Sequence, residues 1–272
     1  MIFLKSILKA ILYRPLFNAL IFLVWLVPGH YVGVAIIVLT VIIRIILLPS
    51  SLKATRAQKK MRDLQPEIQE LQAKYKGDKQ KQSQELMKFY QQNKINPISS
   101  CLPLLIQLPI LLILYYVFRN GLSTARFDLL YTFMPRPDFI NTSFLGINLA
   151  SPERFVLPVI AGALQFVQGW QLTPPKQPGK GQDMSAMVSK QMLYLMPVFT
   201  IFIGGRLPAA LVLYWIITTL FAVGQQWWVF REHPSLNPKL EAPSNTSGVK
   251  KEKETVNKIV KRGVEVTVRR KK

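Results

Sequence analysis

The residues predict an all-α polytopic membrane protein, with a five-transmembrane-helix core, an outer interfacial amphipathic helix and a cytoplasmic helical hairpin. Three observations carry this. Half of the 272 residues are hydrophobic, and they are gathered into runs of near-membrane length. The 35 Lys and Arg outnumber the 14 Asp and Glu, for a formal charge of +21, yet almost all of that charge lies between the runs. The basic blocks are also unequal, which gives each run a direction under the positive-inside rule.

The chain divides into an N-terminal segment (1–30), a core (31–230) and a basic tail (231–272). In the N-terminal segment the apolar stretch before Pro28 and Gly29 is short for a bilayer core of about 30 Å, and it suits a helix lying in the interface. Lys5, Lys9 and Arg14 precede it, so a six-span arrangement with the N-terminus inside is the alternative. No small-x-small cleavage pattern follows the stretch, so it does not read as a cleaved signal.

The first span is 31–48. It contains Arg44, a full charge that costs roughly 2.5–3.5 kcal/mol at mid-membrane on insertion scales. Residues 51–96 hold eleven Lys/Arg and two amphipathic pieces. Met61, Leu64, Ile68, Leu71 and Tyr75 fall at spacings of three and four, one helical stripe. The sequence KGD (76–78) breaks that stripe, and Leu86, Phe89 and Tyr90 make a second face. Back to back, the two form an antiparallel hairpin, with Pro66 kinking the first helix or starting a new one. A loosely solvated helical loop is the alternative.

The second span is 98–118, with Pro103 and Pro109 expected to kink it and open space between helices. The third is 155–170. The fourth, 191–205, is short and ends in GGRLP, which leads directly into the fifth, 208–230; these two read as a tight helical hairpin. Short spans suit a locally thinned bilayer or leaning helices. The linker 171–190 has three lysines and one aspartate, and the tail has twelve Lys/Arg; both belong inside with 51–96. The segment 119–154 belongs outside. The C-terminus is therefore cytoplasmic and the N-terminus extracytoplasmic. The tail lacks the residues for a core and is expected to be disordered, with anionic lipid or nucleic acid as its natural partners.

No nucleotide loop, triad, carboxylate pair or metal cluster is visible, so neither an enzyme nor a cofactor is expected. Cys101 is the single cysteine and reads as a small apolar residue. His30 and His233 have no ligand-spaced partners. The five runs contain no Asp or Glu, so Arg44 has no acidic partner within the membrane. Two readings follow. Arg44 lies close enough to Pro49 for its side chain to snorkel to the cytoplasmic interface, or it lines a wet cavity open to the cytoplasm. Thr40 lies one turn away on the same face. Gln107, Gln165, Gln168, Thr218, Thr219, Gln225 and Gln226 add polar groups to the other spans, with Tyr214 and Trp215 as amphipathic rings. Each of these polar groups also suits ordinary interhelical hydrogen bonding.

The order of TVIIRIILLP, the basic Gln-rich hairpin, CLPLLIQLPILLILYYVF, LMPVFTIF and LPAALVLYWIITTLFAVGQQW resembles the YidC family of membrane protein insertases, which has mitochondrial and thylakoid relatives. The resemblance runs from about residue 15 to 230. It implies a five-helix core around a hydrophilic groove open to cytoplasm and lipid. By that resemblance Arg44 is the groove arginine, and Thr40, Leu108, Leu111 and Trp215 line the path of a substrate helix. Gln107, Gln165 and Tyr214 are weaker matches. The stretch from Leu16 to Val27 resembles the family's interfacial helix, which favours five spans.

The implied partners are nascent membrane proteins, the ribosome through the basic tail, the Sec translocon, the signal recognition particle pathway and anionic lipids. The implied place is the bacterial plasma membrane. The large extracytoplasmic domain and the N-terminal lipoprotein cysteine of some members are missing, so the chain resembles a minimal bacterial form. A mitochondrial or thylakoid member would need a transit peptide. An anion channel or carrier using Arg44 is the alternative function, although no inverted repeat is evident among the spans.

Overall fold

A computed structural model describes residues 13–96, 102–121, 129–173 and 184–232. The side chains of 102–106, 108, 119–121, 184–190 and 192 are not described. Expectations about the basic tail, Cys101, His233 and the first lysines fall outside these bounds. Among the described residues the secondary structure is nine α-helices and one two-stranded hairpin.

Helix α1 (Arg14–Leu26) has Pro15 in its first turn, where a missing N–H costs nothing. Phe17, Asn18, Leu20, Ile21 and Val24 are fully buried, while Phe22, Trp25 and Leu26 are exposed. Its thirteen residues reach about 20 Å, too short for a typical bilayer core. Both ends are tied to one loop. Asn18 Nδ2 donates to Leu129 O (3.2 Å), and Tyr131 N donates to Asn18 Oδ1 (2.7 Å). The Arg14 guanidinium covers the Tyr131 ring at 4.7 Å. At the other end the chain turns through Pro28–His30, with Gly29 at φ 76°. There His30 O accepts from Asn141 N (3.0 Å), and Asn141 O accepts from Val32 N (3.0 Å).

Helix α2 (Val32–Ile46) follows, about 22 Å long. Helix α3 (Leu48–Asp63) departs from it at 71°. Pro49 explains the break: its nitrogen has no proton to bond the preceding turn, and its ring clashes there. Leu64 joins α3 to α4 (Gln65–Lys74), which has Pro66 in its first turn. Pro66 thus starts a helix. Asp78 caps α5 (Lys79–Gln92), its carboxylate accepting from Lys81 N at 3.0 Å. Helices α4 and α5 share a small apolar cluster of Leu64, Ile68 and Ile95, with Met61, Leu86, Phe89 and Tyr90 packed around it. The two stripes read from the sequence meet there, except that Leu71 and Tyr75 are not part of the cluster.

Helix α6 (Leu102–Gly121) holds Pro109 in its interior, while Pro103 sits in its first turn. A hairpin of β1 (Ser143–Phe144) and β2 (Ile147–Asn148) turns through Leu145 and Gly146, both at positive φ. That is the twist two-residue hairpins favour. Phe144 fits against Gly33 of α2, where any Cβ would overlap its ring. Glu153 then opens α7 (Val156–Leu172): its carboxylate accepts from the backbone N–H groups of Phe155, Val156 and Leu157.

Helix α8 (Met184–Gly204) begins earlier than the apolar run 191–205 indicated. Ser185 and Lys190 are polar, so hydropathy falls off there, but nothing in that stretch breaks a helix. Helix α9 (Ala209–Glu232) follows a tight turn. Its first N–H groups, on buried Ala209 and Ala210, donate to Ser151 O and Leu149 O at 2.9 and 3.0 Å.

The expected close hairpin of the fourth and fifth spans is not what packs. The main neighbours of α8 are on α7, and α7 in turn packs on α9. The physical reason is Gly162 of α7, where a Cβ would stand 2.5 Å from Ile201 Cγ1 of α8. The bare backbone lets α8 seat on α7 rather than on its sequence neighbour. The first turns of α9 are the centre of the core: Ala209 to Tyr214 are all buried, so this part of the helix is enclosed on every side, while Leu220, Trp227 and Trp228 further along are exposed. Residues of α1, α2, α6, α7 and α9 form one apolar cluster around it.

By length and composition α9 (Ala209–Arg231) is the one described helix that could cross a bilayer alone, and α2 with α3 passes as a bent pair. The other apolar stretches are shorter.

Candidate functional site

Arg44 lies in the last turn of α2. It is half-buried, on the edge of the face that carries buried Ile36 and Thr40. Among the described residues its guanidinium makes no hydrogen bond and no ion pair. The carbonyl end of α2 offers it a partial negative charge, a modest offset to desolvation. The phenol of Tyr214 on α9 lies within electrostatic range of it.

Tyr214 is 3% exposed. Its hydroxyl accepts from Gln107 Nε2 of α6 at 2.8 Å. Gln107 and Tyr214 are separated by 107 residues in sequence. A cation, a phenol and an amide from three helices are thus brought together in an apolar setting. Such a group can meet a carboxylate or a polar backbone segment that would otherwise be stripped of water.

The other sequence-derived candidates are placed less directly. Thr40 is 2% exposed, and its hydroxyl donates to Ile36 O at 2.6 Å, so its one donor is used within α2. Leu111, one turn beyond Gln107, is partly buried against the main core. Trp215 is half-buried beside Tyr214. Gln165 is half-buried on α7 and makes no hydrogen bond among the described residues. The side chain of Leu108 is outside the description.

One polar arrangement was not anticipated. Gln225 of α9 donates from Nε2 to Thr55 Oγ1 at 2.8 Å, and its Oε1 accepts from Ser51 Oγ at 3.0 Å. Both partners are on α3, four residues apart and on one face. Further along, the Arg62 guanidinium stands 5.1 Å from the Phe230 ring centroid. Gln225 therefore clamps α3 to α9 rather than facing a cavity, and the ordinary interhelical role holds for it. The signal in the sequence was Ser and Thr at helical spacing in the first turns after Pro49, but nothing there named their partner.

Among the described residues no group of His, Cys, Asp and Glu could hold a metal ion.

A family model described as 60Kd inner membrane protein matches residues 25–236. A membrane protein insertase YidC of Clostridium tetani is 43% identical over 201 residues, covering 73% of this chain and 81% of that protein. Proteins of the same name from Fusobacterium nucleatum and Clostridium perfringens are 38% and 37% identical. They are covered over 86% and 92% of their lengths, by 74% and 83% of this chain. With the match spanning the helices that hold Arg44, Gln107 and Tyr214, the chain belongs to the 60 kDa inner membrane protein family, that of the YidC membrane protein insertases.

Proposed function

We propose that this protein receives hydrophobic proteins at a hydrophilic, cytoplasm-open groove and releases them into the bilayer. The relatives' shared name supports insertion as the activity, and it does not favour an anion channel or carrier. The observation that carries the mechanism is Arg44: a half-buried cation without an ion-pair partner among the described residues, beside Tyr214 and its Gln107 donor.

In this reading Arg44 attracts an acidic or polar part of an arriving substrate, which lowers the cost of taking it out of bulk water. The substrate's apolar helix then leaves between α2, on the Thr40 side, and α6, past Leu108 and Leu111, with Trp215 and Gln165 lining the approach. Burial of that helix in lipid drives release.

Five spans are proposed, formed by α2, α6, α7, α8 and α9, with a bilayer thinned around the shorter ones. Helix α1 is proposed to lie on the outer face. Both of its ends bond the 129–141 segment, which suits a helix lying along the same face as that loop. Helices α4 and α5 are proposed as the cytoplasmic hairpin that first meets substrate. Ribosome contact through residues 231–272, and cooperation with Sec and the signal recognition particle pathway, belong to the same proposal.

The test is complementation of an insertase-depleted bacterium with Arg44→Ala and Arg44→Lys. Loss with alanine and near-normal insertion of acidic-tailed substrates with lysine is the expected result, because the reading needs charge more than guanidinium geometry. Full insertion by Arg44→Ala sinks the charge mechanism.

A further inference from the structure

We infer that Lys59 and Arg62 form a site for the phosphate group of an anionic phospholipid, between α3 and the end of α9. Lys59 is 7% exposed, and among the described residues its ammonium forms no ion pair. Arg62 lies three residues on, on the same face. Its Nε is buried and has no acceptor, while its guanidinium lies against the Phe230 ring. A buried guanidinium donor without an acceptor is costly unless something supplies the oxygen, and the Lys59 ammonium one turn away adds a second positive charge beside it.

Asp63 does not fill that role. It feels both charges but forms no ion pair with either; the one ion pair among the described residues is Lys88–Glu85. Burial pushes its carboxyl above the usual range despite the pull of Lys59 and Arg62, and its charge competes with a phosphate while bonding neither donor. A phosphodiester presents two free oxygens, suited to a guanidinium fork and an ammonium at once.

The position selects lipid over other phosphates. Phe230 ends the membrane-length helix α9, just past Trp227 and Trp228, which are 57% and 43% exposed. Exposed tryptophans at the end of such a helix mark the headgroup level. Arg62 stacks on the next aromatic, so its guanidinium is at phosphate depth. Nucleic acid neutralises its phosphates with basic side chains facing bulk water, whereas Arg62 lies against the aromatic end of the membrane-length helix. Both basic residues of the site belong to α3. The inference rests on α9 crossing the membrane and is independent of how Arg44 acts.

The experiment is native mass spectrometry of the full chain in detergent, counting retained phosphatidylglycerol against phosphatidylcholine at matched activation. The wild type is expected to retain phosphatidylglycerol preferentially. Lys59→Gln with Arg62→Gln should weaken retention about tenfold. Lys53→Gln with Arg56→Gln removes equal charge from exposed positions of the same helix and should change it less than about twofold. Asp63→Asn, which removes the competing carboxylate, should strengthen retention; this arm stands if the double variant does not fold.

Unchanged retention in the Lys59/Arg62 variant, or an equal loss in the exposed-pair control, overturns the site. So does a failure of Asp63→Asn to raise retention. Displacement by millimolar inorganic phosphate as effectively as by lipid assigns a free-anion site and overturns the lipid. Absence of a phosphatidylglycerol preference in a wild type whose insertion still depends on Arg44 would fault this site alone, which keeps the two readings separable.

Discussion

Replacing Gln225 with leucine should uncouple α3 from α9, and the loss can be worked from the contacts. The wild-type amide makes two side-chain hydrogen bonds, to Thr55 at 2.8 Å and with Ser51 at 3.0 Å. Gln225 is 8% exposed and Thr55 is 7% exposed, so water cannot readily replace them. Each neutral bond contributes about 1 kcal/mol net, and orphaning the Thr55 hydroxyl adds about 1 kcal/mol or more. Ser51 is less affected because its hydroxyl also donates to Leu48 O at 3.0 Å. The gain in apolar transfer from leucine offsets part of this, leaving about 2 kcal/mol of destabilisation.

The measurement is a double-mutant cycle in which Gln225→Leu and Thr55→Val are made singly and together, with equilibrium unfolding in mixed micelles. Hydrogen bonds between membrane helices average about 0.6 kcal/mol in such cycles and reach about 1.7 kcal/mol. This pair, at a helix end with both groups enclosed, should give about 1 kcal/mol of coupling. Strict additivity, within about 0.3 kcal/mol of zero coupling, would refute the clamp.

Other outcomes follow from single contacts. Gly33→Ala should loosen the β1–β2 hairpin from α2, because the added Cβ overlaps the Phe144 ring; overpacking of this kind costs about 1–3 kcal/mol, read as a lower Tm. Gly162→Ala should act likewise at the α7–α8 seam, where Ile201 Cγ1 is 2.5 Å from the new carbon. Glu153 should make stability pH-dependent. Burial pushes its carboxyl up, but backbone N–H bonds from Phe155, Leu157, Val156 and Arg154 outweigh it, and the net pKa lies below the usual value. Its contribution is therefore full above the ordinary carboxylate pKa of about 4.3 and lost as pH falls through the lowered folded value. Glu153→Gln should flatten that part of the Tm–pH curve, and an unchanged curve would show the cap to be dispensable.

The helices were legible because their signals are local. The apolar run after Tyr31, its stop at Pro49, the restart at Pro66, and the break at KGD all act within one or two turns, although the cap that Asp78 makes was not read. The stripe through Leu64 and Ile68 identified the faces that meet between α4 and α5. The apolar part of α8 matches the run 191–205, while the helix itself starts earlier, because hydropathy marks where a helix is apolar and not where it begins. Of the candidate site, Arg44 declared itself by its cost in an apolar run. Gln107 and Tyr214 were visible only as polar groups in apolar helices, each with several conceivable partners.

By itself, the sequence determined that the chain is helical, rich in apolar runs, related to insertases, and in possession of one arginine that those runs cannot neutralise. Only the tertiary structure decided that α7 lies between α8 and α9, that Gln107 finds Tyr214, and that Gln225 finds Ser51 and Thr55. Periodicity describes one helix at a time. Which polar groups meet depends on where backbones approach, and that is set by bare positions such as Gly33 and Gly162 and by partners more than a hundred residues away.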